Sequence, residues 1–338
     1  MKKRTSLKDV AEKVGVSKSL VSYVLNNQLV DRINKDTAER IKKVALEMSY
    51  RPNQIAKSLR SDKTNTIGLI IADIANPYSS TIARIIEDEA KKNNYTVIFG
   101  SADESYQKAS DIINFLLTRR VDGFIIAAPS GLEKQLIQLK KWDIPFVLID
   151  RYFPELETNC VCIDDFSISF KAAKHLLKQG FKNIAMFNYK TKLFHLRERN
   201  RGFLEALKSI GNTGLNKNLV EIDEKRLSED VKNKLDKLIG IKQKIDAVFF
   251  SSSNIALEGL AYLCQKKINV PDDLGVICFD ELKTYDLFNC PITYIRQPLS
   301  KIGETAIKGL LNAIDSPALS KKYMLPAKLI IRNSSKRF

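Results

Sequence analysis

The chain has 338 residues, enough for two or three domains, and a formal net charge of +16 from 55 Lys and Arg against 39 Asp and Glu. Residues 1–63 hold 15 of those cations against seven carboxylates, half the excess in under a fifth of the length, which suits a polyanionic partner. No apolar run reaches membrane-span length, no apolar signal core follows the N-terminus, and five scattered cysteines build no disulfide framework, so a cytoplasmic protein without a membrane partner is expected.

Leu7, Val10, Ala11 and Val14 recur at helical spacing. Gly15 supplies a left-handed turn, and Ser17 stands as N-cap of a second helix whose inner side is Leu20, Val21, Val24 and Leu25. The face left over carries Lys18, Ser19, Ser22, Tyr23 and Asn26, groups that can hydrogen-bond base edges or phosphates. This is a helix-turn-helix pattern. A third helix is expected over 36–48, capped by Asp36 or Thr37, with Ile41, Val44, Ala45 and Met48 inside. Pro52 breaks the chain, and a short basic helix with Ile55, Ala56 and Leu59 on one side fits 53–60. The polar stretch 61–65 reads as a linker.

Beyond residue 65 strands and helices alternate. Strands are expected at 67–72, 96–100, 124–127, 146–150, 183–187, 247–251 and 275–279, and helices at 80–93, 107–119, 132–141, 167–179, 199–210 and 254–266. Alternation of this kind gives mainly parallel sheets with right-handed crossovers. Two such series form two similar lobes, with a cleft where the strand C-termini converge. Cys160 and Cys162 share one face of a strand without a metal-ligand pattern, and His175 and His195 are too few for a metal cluster, so no metal or other cofactor is expected. Trp142 reads as a packing residue on a helix away from the cleft.

A set of runs spans the chain in order: Leu7-Lys8-Asp9-Val10-Ala11, Gly15-Val16-Ser17, Tyr50-Arg51-Pro52-Asn53, Asn76-Pro77-Tyr78, Val121-Asp122-Gly123, Ile149-Asp150-Arg151 and Arg199-Asn200-Arg201-Gly202-Phe203. Through these runs the sequence resembles, from end to end, the LacI/GalR (lactose/galactose repressor) family of transcriptional regulators. The resemblance implies an all-α helix-turn-helix head (1–52), a hinge helix and linker (53–65), and a periplasmic-binding-protein-like (type I) α/β core of two lobes (66–338). Lobe 1 then takes about 66–162 plus 297–323, and lobe 2 about 163–296 plus 324–338. It further implies a homodimer on double-stranded, pseudo-palindromic operator DNA, controlled by a small ligand, a sugar or sugar derivative. DNA contacts would fall on Ser6, Leu7, Ser17, Lys18, Ser19, Ser22, Tyr23, Asn26, Thr37, Asn53, Ala56 and Leu59, with Leu59 wedging into the minor groove. Ligand contacts would fall on Asp73, Asn76, Tyr78, Asp150, Arg199, Ser252 and Asp280.

The chain departs from the family pattern in several places. Tyr23 stands where arginine is frequent, and 27–34 is about two residues longer than in the lactose repressor. Ser252-Ser253 replaces a frequent Asn-Asp, and 222–226 supplies no aromatic. A sugar-binding protein without a regulatory role would share the core but lack the basic head. An enzyme is disfavoured, because no phosphate loop, nucleophile elbow or metal-ligand spacing is present. A repressor is expected, with a ligand-responsive activator of the same fold as the alternative, and inducer and corepressor stay open. The tail 333–338 carries no leucine heptads, which favours a dimer over a higher assembly.

Overall fold

The computed structural model describes residues 5–26, 32–50, 63–209, 218–240, 245–316 and 320–337. The chain forms two compact units, Met1–Thr64 and Asn65–Phe338.

The first unit contains three helices among its described residues: α1 (Leu7–Val14), α2 (Lys18–Leu25) and α3 (Lys35–Glu47). Ser6 and Asp9 form a reciprocal capping box, the Ser6 amide donating to Asp9 Oδ2 at 2.7 Å. Gly15, at φ 77°, donates its amide to Ala11 O and turns the chain where a Cβ would be penalised. Ser17 Oγ accepts the Leu20 amide at 3.2 Å and starts α2. Val10, Ala11, Val14, Val21, Val24, Ile41 and Ala45 close a small core. The third helix begins one residue early. Its cap is Asn34, whose Oδ1 accepts the Asp36 and Thr37 amides, so neither Asp36 nor Thr37 is the cap. The amide oxygen of an asparagine just outside the first turn outcompetes side chains already inside it. The expected helix over 53–60, with Asn53, Ala56 and Leu59, lies outside the described residues.

In the second unit, the first sheet is built from β1 (Thr66–Ile71), β2 (Thr96–Ser101), β3 (Gly123–Ile126), β4 (Phe146–Ile149), β5 (Asn159–Ile163) and β11 (Lys322–Leu325). Its order is β11-β5-β4-β3-β1-β2 and all its pairings are parallel. The second sheet holds β6 (Ile184–Tyr189), β7 (Leu219–Ile222), β8 (Ala247–Phe250), β9 (Gly275–Phe279), β10 (Thr293–Arg296) and β12 (Lys328–Ile330). Its order is β12-β10-β9-β8-β6-β7, and only the β10–β12 pair is antiparallel among these strands. Helices α4 (Pro77–Lys92), α5 (Tyr106–Thr118), α6 (Glu133–Lys141) and α11 (Leu299–Asp315) accompany the first sheet in the chain. The second lobe carries α7 (Asp165–Lys178), α8 (Phe194–Lys208), α9 (Leu227–Ile239) and α10 (Ser253–Gln265). Continuous runs such as Gly275–Phe279, buried at every position, are what a strand covered on both faces requires. β5 runs to Ile163 and β11 to Leu325, each slightly past the expected lobe limits near 162 and 323, and the last return to the second sheet lies between Leu325 and Lys328.

Two further expectations need correction. Arg199 does not open its helix: α8 starts at Phe194, and Arg199 sits in its second turn. Trp142 is not a packing residue, because it follows the last turn of α6 and is 53% exposed. The polar tail is hydrogen-bonded to the second lobe. Ser334 Oγ donates to Val276 O at 2.7 Å and accepts the Thr293 amide at 2.7 Å, and Ser335 Oγ meets Thr293 Oγ1 and His175 Nε2.

Candidate functional site

α7 and α8 approach each other closely because Gly202 faces the start of α7: a Cβ there would stand 2.1 Å from the Phe166 carbonyl oxygen. That approach sets Arg199, one turn before Gly202, against the first residue of α7. Arg199 Nε donates to Asp165 Oδ1 at 2.7 Å and Nη1 to Ser251 O at 2.7 Å. Its guanidinium lies 3.4 Å from the ring centroid of Phe279. Both members of this ion pair are buried.

The pair backs a cavity between the C-terminal ends of the two sheets, with about 810 Å³ of atom-free space counting its open mouth. All seven expected cleft residues, Asp73, Asn76, Tyr78, Asp150, Arg199, Ser252 and Asp280, line it. Each lobe ends one strand in a left-handed aspartate: Asp150 (φ 63°) follows β4 and Asp280 (φ 66°) follows β9. A non-glycine residue in this region is uncommon, and aspartate tolerates it better than most. The two lobes thus bring equivalent carboxylates to one cavity. Asp280 Oδ1 accepts from Gln297 Nε2 at 2.8 Å. Ser253 Oγ, from the second lobe, donates to Asn76 Oδ1 of the first at 3.2 Å.

Burial sets the protonation behaviour. It raises the carboxyls of Asp150 and Asp280, and lifts Asp165 to about 7 against the pull of Arg199. Tyr78 is pushed well up by burial and then by Asp150 and Asp280. His195 is pushed well down by burial and then by Arg199 and Arg151, so its imidazole is neutral. Tyr78 Oη, His195 Nδ1 and Arg151 Nε are buried and have no hydrogen-bond partner among the described residues. Buried polar groups of this kind call for a partner.

The sequence reading missed Glu104, Arg151, Tyr189, Glu224 and Gln297, which also line the cavity, and gave His195 no site role. Arg151 was within reach, being adjacent to Asp150; it forms a two-pronged pair with Glu104 at 2.6 and 2.5 Å. Tyr189 ends β6 and brings an aromatic ring from the second lobe, while the stretch 222–226 contributes Glu224.

On the head, Lys18, Ser19 and Tyr23 are exposed on α2, and Ser22 is half-buried beside them. Ser6 and Ser17 spend their hydroxyls on caps, and the Asn26 amide donates to Ser22 O at 2.8 Å. Leu7 and Thr37 are half-buried.

Residues 6–53 match the bacterial regulatory proteins of the lacI family, and residues 173–335 match a periplasmic binding protein-like domain. The HTH-type transcriptional regulator DegA of Bacillus subtilis is 30% identical over 98% of both chains. The chain belongs to the lacI family of bacterial regulatory proteins. It is 29% identical to the HTH-type transcriptional regulator KdgR of Bacillus subtilis, over 99% of this chain and 100% of that one. The HTH-type transcriptional repressor CytR of Escherichia coli is 28% identical over 98% of this chain and 96% of its own. The same fold is seen in the Lac repressor dimer bound to operator and the anti-inducer ONPF, with TM-score 0.86 and 21% identity over 99% of this chain and 100% of that one. The transcriptional regulator CelR–cellobiose complex superposes with TM-score 0.70 and 22% identity over 98% and 100%. A DNA-binding transcriptional regulator is therefore the activity of this chain.

Proposed function

We propose that this lacI-family regulator acts in the cytoplasm as a homodimeric repressor of a pseudo-palindromic operator, and that a sugar-like ligand in the inter-lobe cavity changes its grip on DNA. The observation that carries the ligand reading is the convergence of Asp73, Asn76, Tyr78, Asp150, Arg199, Ser252 and Asp280 on one cavity, whose lining residues Tyr78, Arg151 and His195 each hold a buried polar atom without a partner among the described residues. Paired carboxylates and fixed donors suit the hydroxyls of a polyol, since charged groups form the stronger, directional hydrogen bonds. The relative bound to cellobiose has the same fold.

For DNA, Lys18, Ser19, Ser22 and Tyr23 are the proposed base-edge readers. Ser6, Leu7, Ser17, Asn26 and Thr37 are the proposed backbone and framing positions, and Asn53, Ala56 and Leu59 act at the operator centre. A basic head supplies the sequence-independent share of affinity. For the homodimer, β2 is an edge strand that exposes Ile98 and, at 58%, Phe99. An apolar edge is a liability unless a partner covers it, and a second copy is the proposed cover.

Selection of genomic fragments by the full-length protein, read by sequencing, tests this reading. Enrichment of a two-fold symmetric site whose occupancy one sugar alters is the expected result. Uniform binding that no compound alters would remove both the operator and the ligand from the account.

A further inference from the structure

Resting on the reading of the cavity as the ligand site, we propose that it accepts hydroxyl-rich ligands carrying no anionic group and rejects uronates and sugar phosphates. Five carboxylates line the cavity, Asp73, Glu104, Asp150, Glu224 and Asp280, against two guanidinium groups, Arg151 and Arg199, and no lysine among the described residues. Each guanidinium group already has a carboxylate partner, although Arg151 Nε, buried, makes no hydrogen bond among the described residues. Arg199 is held through Nε by Asp165, which stands behind it and adds a further acid. Arg151 is clamped in both prongs by Glu104, and its Nε stands 3.6 Å from Asp150. A ligand carboxylate would have to displace one of these partners and enter a field of unbalanced negative charge in a low-dielectric cleft.

The uncharged features agree. The imidazole of His195 is neutral and brings no cation. Two helix N-termini at the cavity are spoken for. At α4, Pro77 has no amide hydrogen and Asn76 Oδ1 takes the Tyr78 amide at 2.9 Å. At α10, Ser252 Oγ takes the Ile255 amide. The first turn of α8 has no side-chain cap, and its pull on an anion is opposed by the acidic lining. What the cavity offers is carboxylate acceptors in excess, plus Tyr78 Oη, His195 Nδ1 and one guanidinium donor, Arg151 Nε, that lack partners among the described residues. Ligand hydroxyl and ammonium groups donate to such acceptors, whereas carboxylates and phosphates only accept.

The test is calorimetric titration of the full-length protein with matched sets of mono- and disaccharides: neutral, amino and uronate forms of one skeleton, and sugar phosphates. Wild type should bind a neutral or amino member and bind its acidic counterpart at least about tenfold more weakly. Glu104→Gln, which frees Arg151, should narrow that gap, with a thermal melt confirming the fold. A uronate or phosphate bound as tightly as its neutral counterpart would overturn the charge selection while leaving the cavity as the ligand site. An unchanged gap in Glu104→Gln would overturn the role given to the Arg151–Glu104 pair. Failure of every member of the sets to bind would overturn the inference together with the sugar reading beneath it.

Discussion

Arg199 and Asp165 form a buried ion pair at 2.7 Å that ties the second turn of α8 to the first residue of α7 at the back of the inter-lobe cavity. Removing one member of such a pair leaves an uncompensated charge and typically costs about 3–5 kcal/mol, whereas replacing both by apolar groups can be near neutral. Arg199→Met and Asp165→Leu should each destabilise the core strongly. The double variant should be more stable than the sum of the two losses predicts. Urea unfolding of the four proteins measures the coupling, and strict additivity would remove the pair from the account.

Gly202 holds the close approach that sets up this pair. Gly202→Ala forces the added methyl against the Phe166 carbonyl, and α7 and α8 must separate at a cost of about 1–3 kcal/mol. The ordinary preference of helices for alanine over glycine, about 1 kcal/mol, would act in the opposite direction. A lowered denaturation midpoint shows that the steric term wins; a raised one would mean that the helices have room.

The imidazole of His195 gives a dependence on pH. Burial, helped by Arg199 and Arg151, holds its folded-state value well below the ordinary one. The unfolded chain therefore takes up the proton first as pH falls. The stability associated with neutral His195 is present above about pH 6.5 and is lost below it. His195→Gln should show a smaller fall in melting temperature than wild type between pH 7 and 5. Parallel curves for the two proteins would mean that His195 titrates as freely in the fold as outside it.

How far the sequence reached depended on how local each signal was. The turn at Gly15, the cap at Ser17 and the strand Gly275–Phe279 rest on short-range chemistry and were all visible in it. The strands β7, β10, β11 and β12 and the helices α9 and α11 were not anticipated. β11 and β12 are short, half-exposed edge strands whose partners lie far away in the chain, so no local pattern announces them. The cleft aspartates came from the family resemblance, and two of them, Asp150 and Asp280, directly follow buried strands. Glu104 and Glu224 lie on a loop and a short 3₁₀ turn, and only tertiary packing carries them to the same cavity.

The tail offers a simpler test. Ser334 satisfies both the buried Thr293 amide and the Val276 carbonyl, so Ser334→Ala strands two backbone groups at a cost of about 1–3 kcal/mol. Thermal unfolding measures it, and an unchanged midpoint would contradict the anchoring.

On the head, Tyr23→Ala should lower affinity for the selected operator while leaving non-specific binding nearly intact. Lys18→Ala, at another proposed base-edge position, should cost about 1–3 kcal/mol of operator affinity and relax specificity there. Equal loss of specific and non-specific binding in Tyr23→Ala would take that residue out of base readout.

The central claim is that the cleft of the core governs the hold of the head on DNA. Its most direct test is an operator titration by fluorescence anisotropy at fixed salt, with and without the bound sugar, for wild type and Asp280→Asn. The account predicts a shift of roughly 5–150-fold in wild type, within the usual range of allosteric coupling, and its loss in the variant. An undiminished shift in Asp280→Asn, or no shift in wild type at saturating ligand, would contradict it.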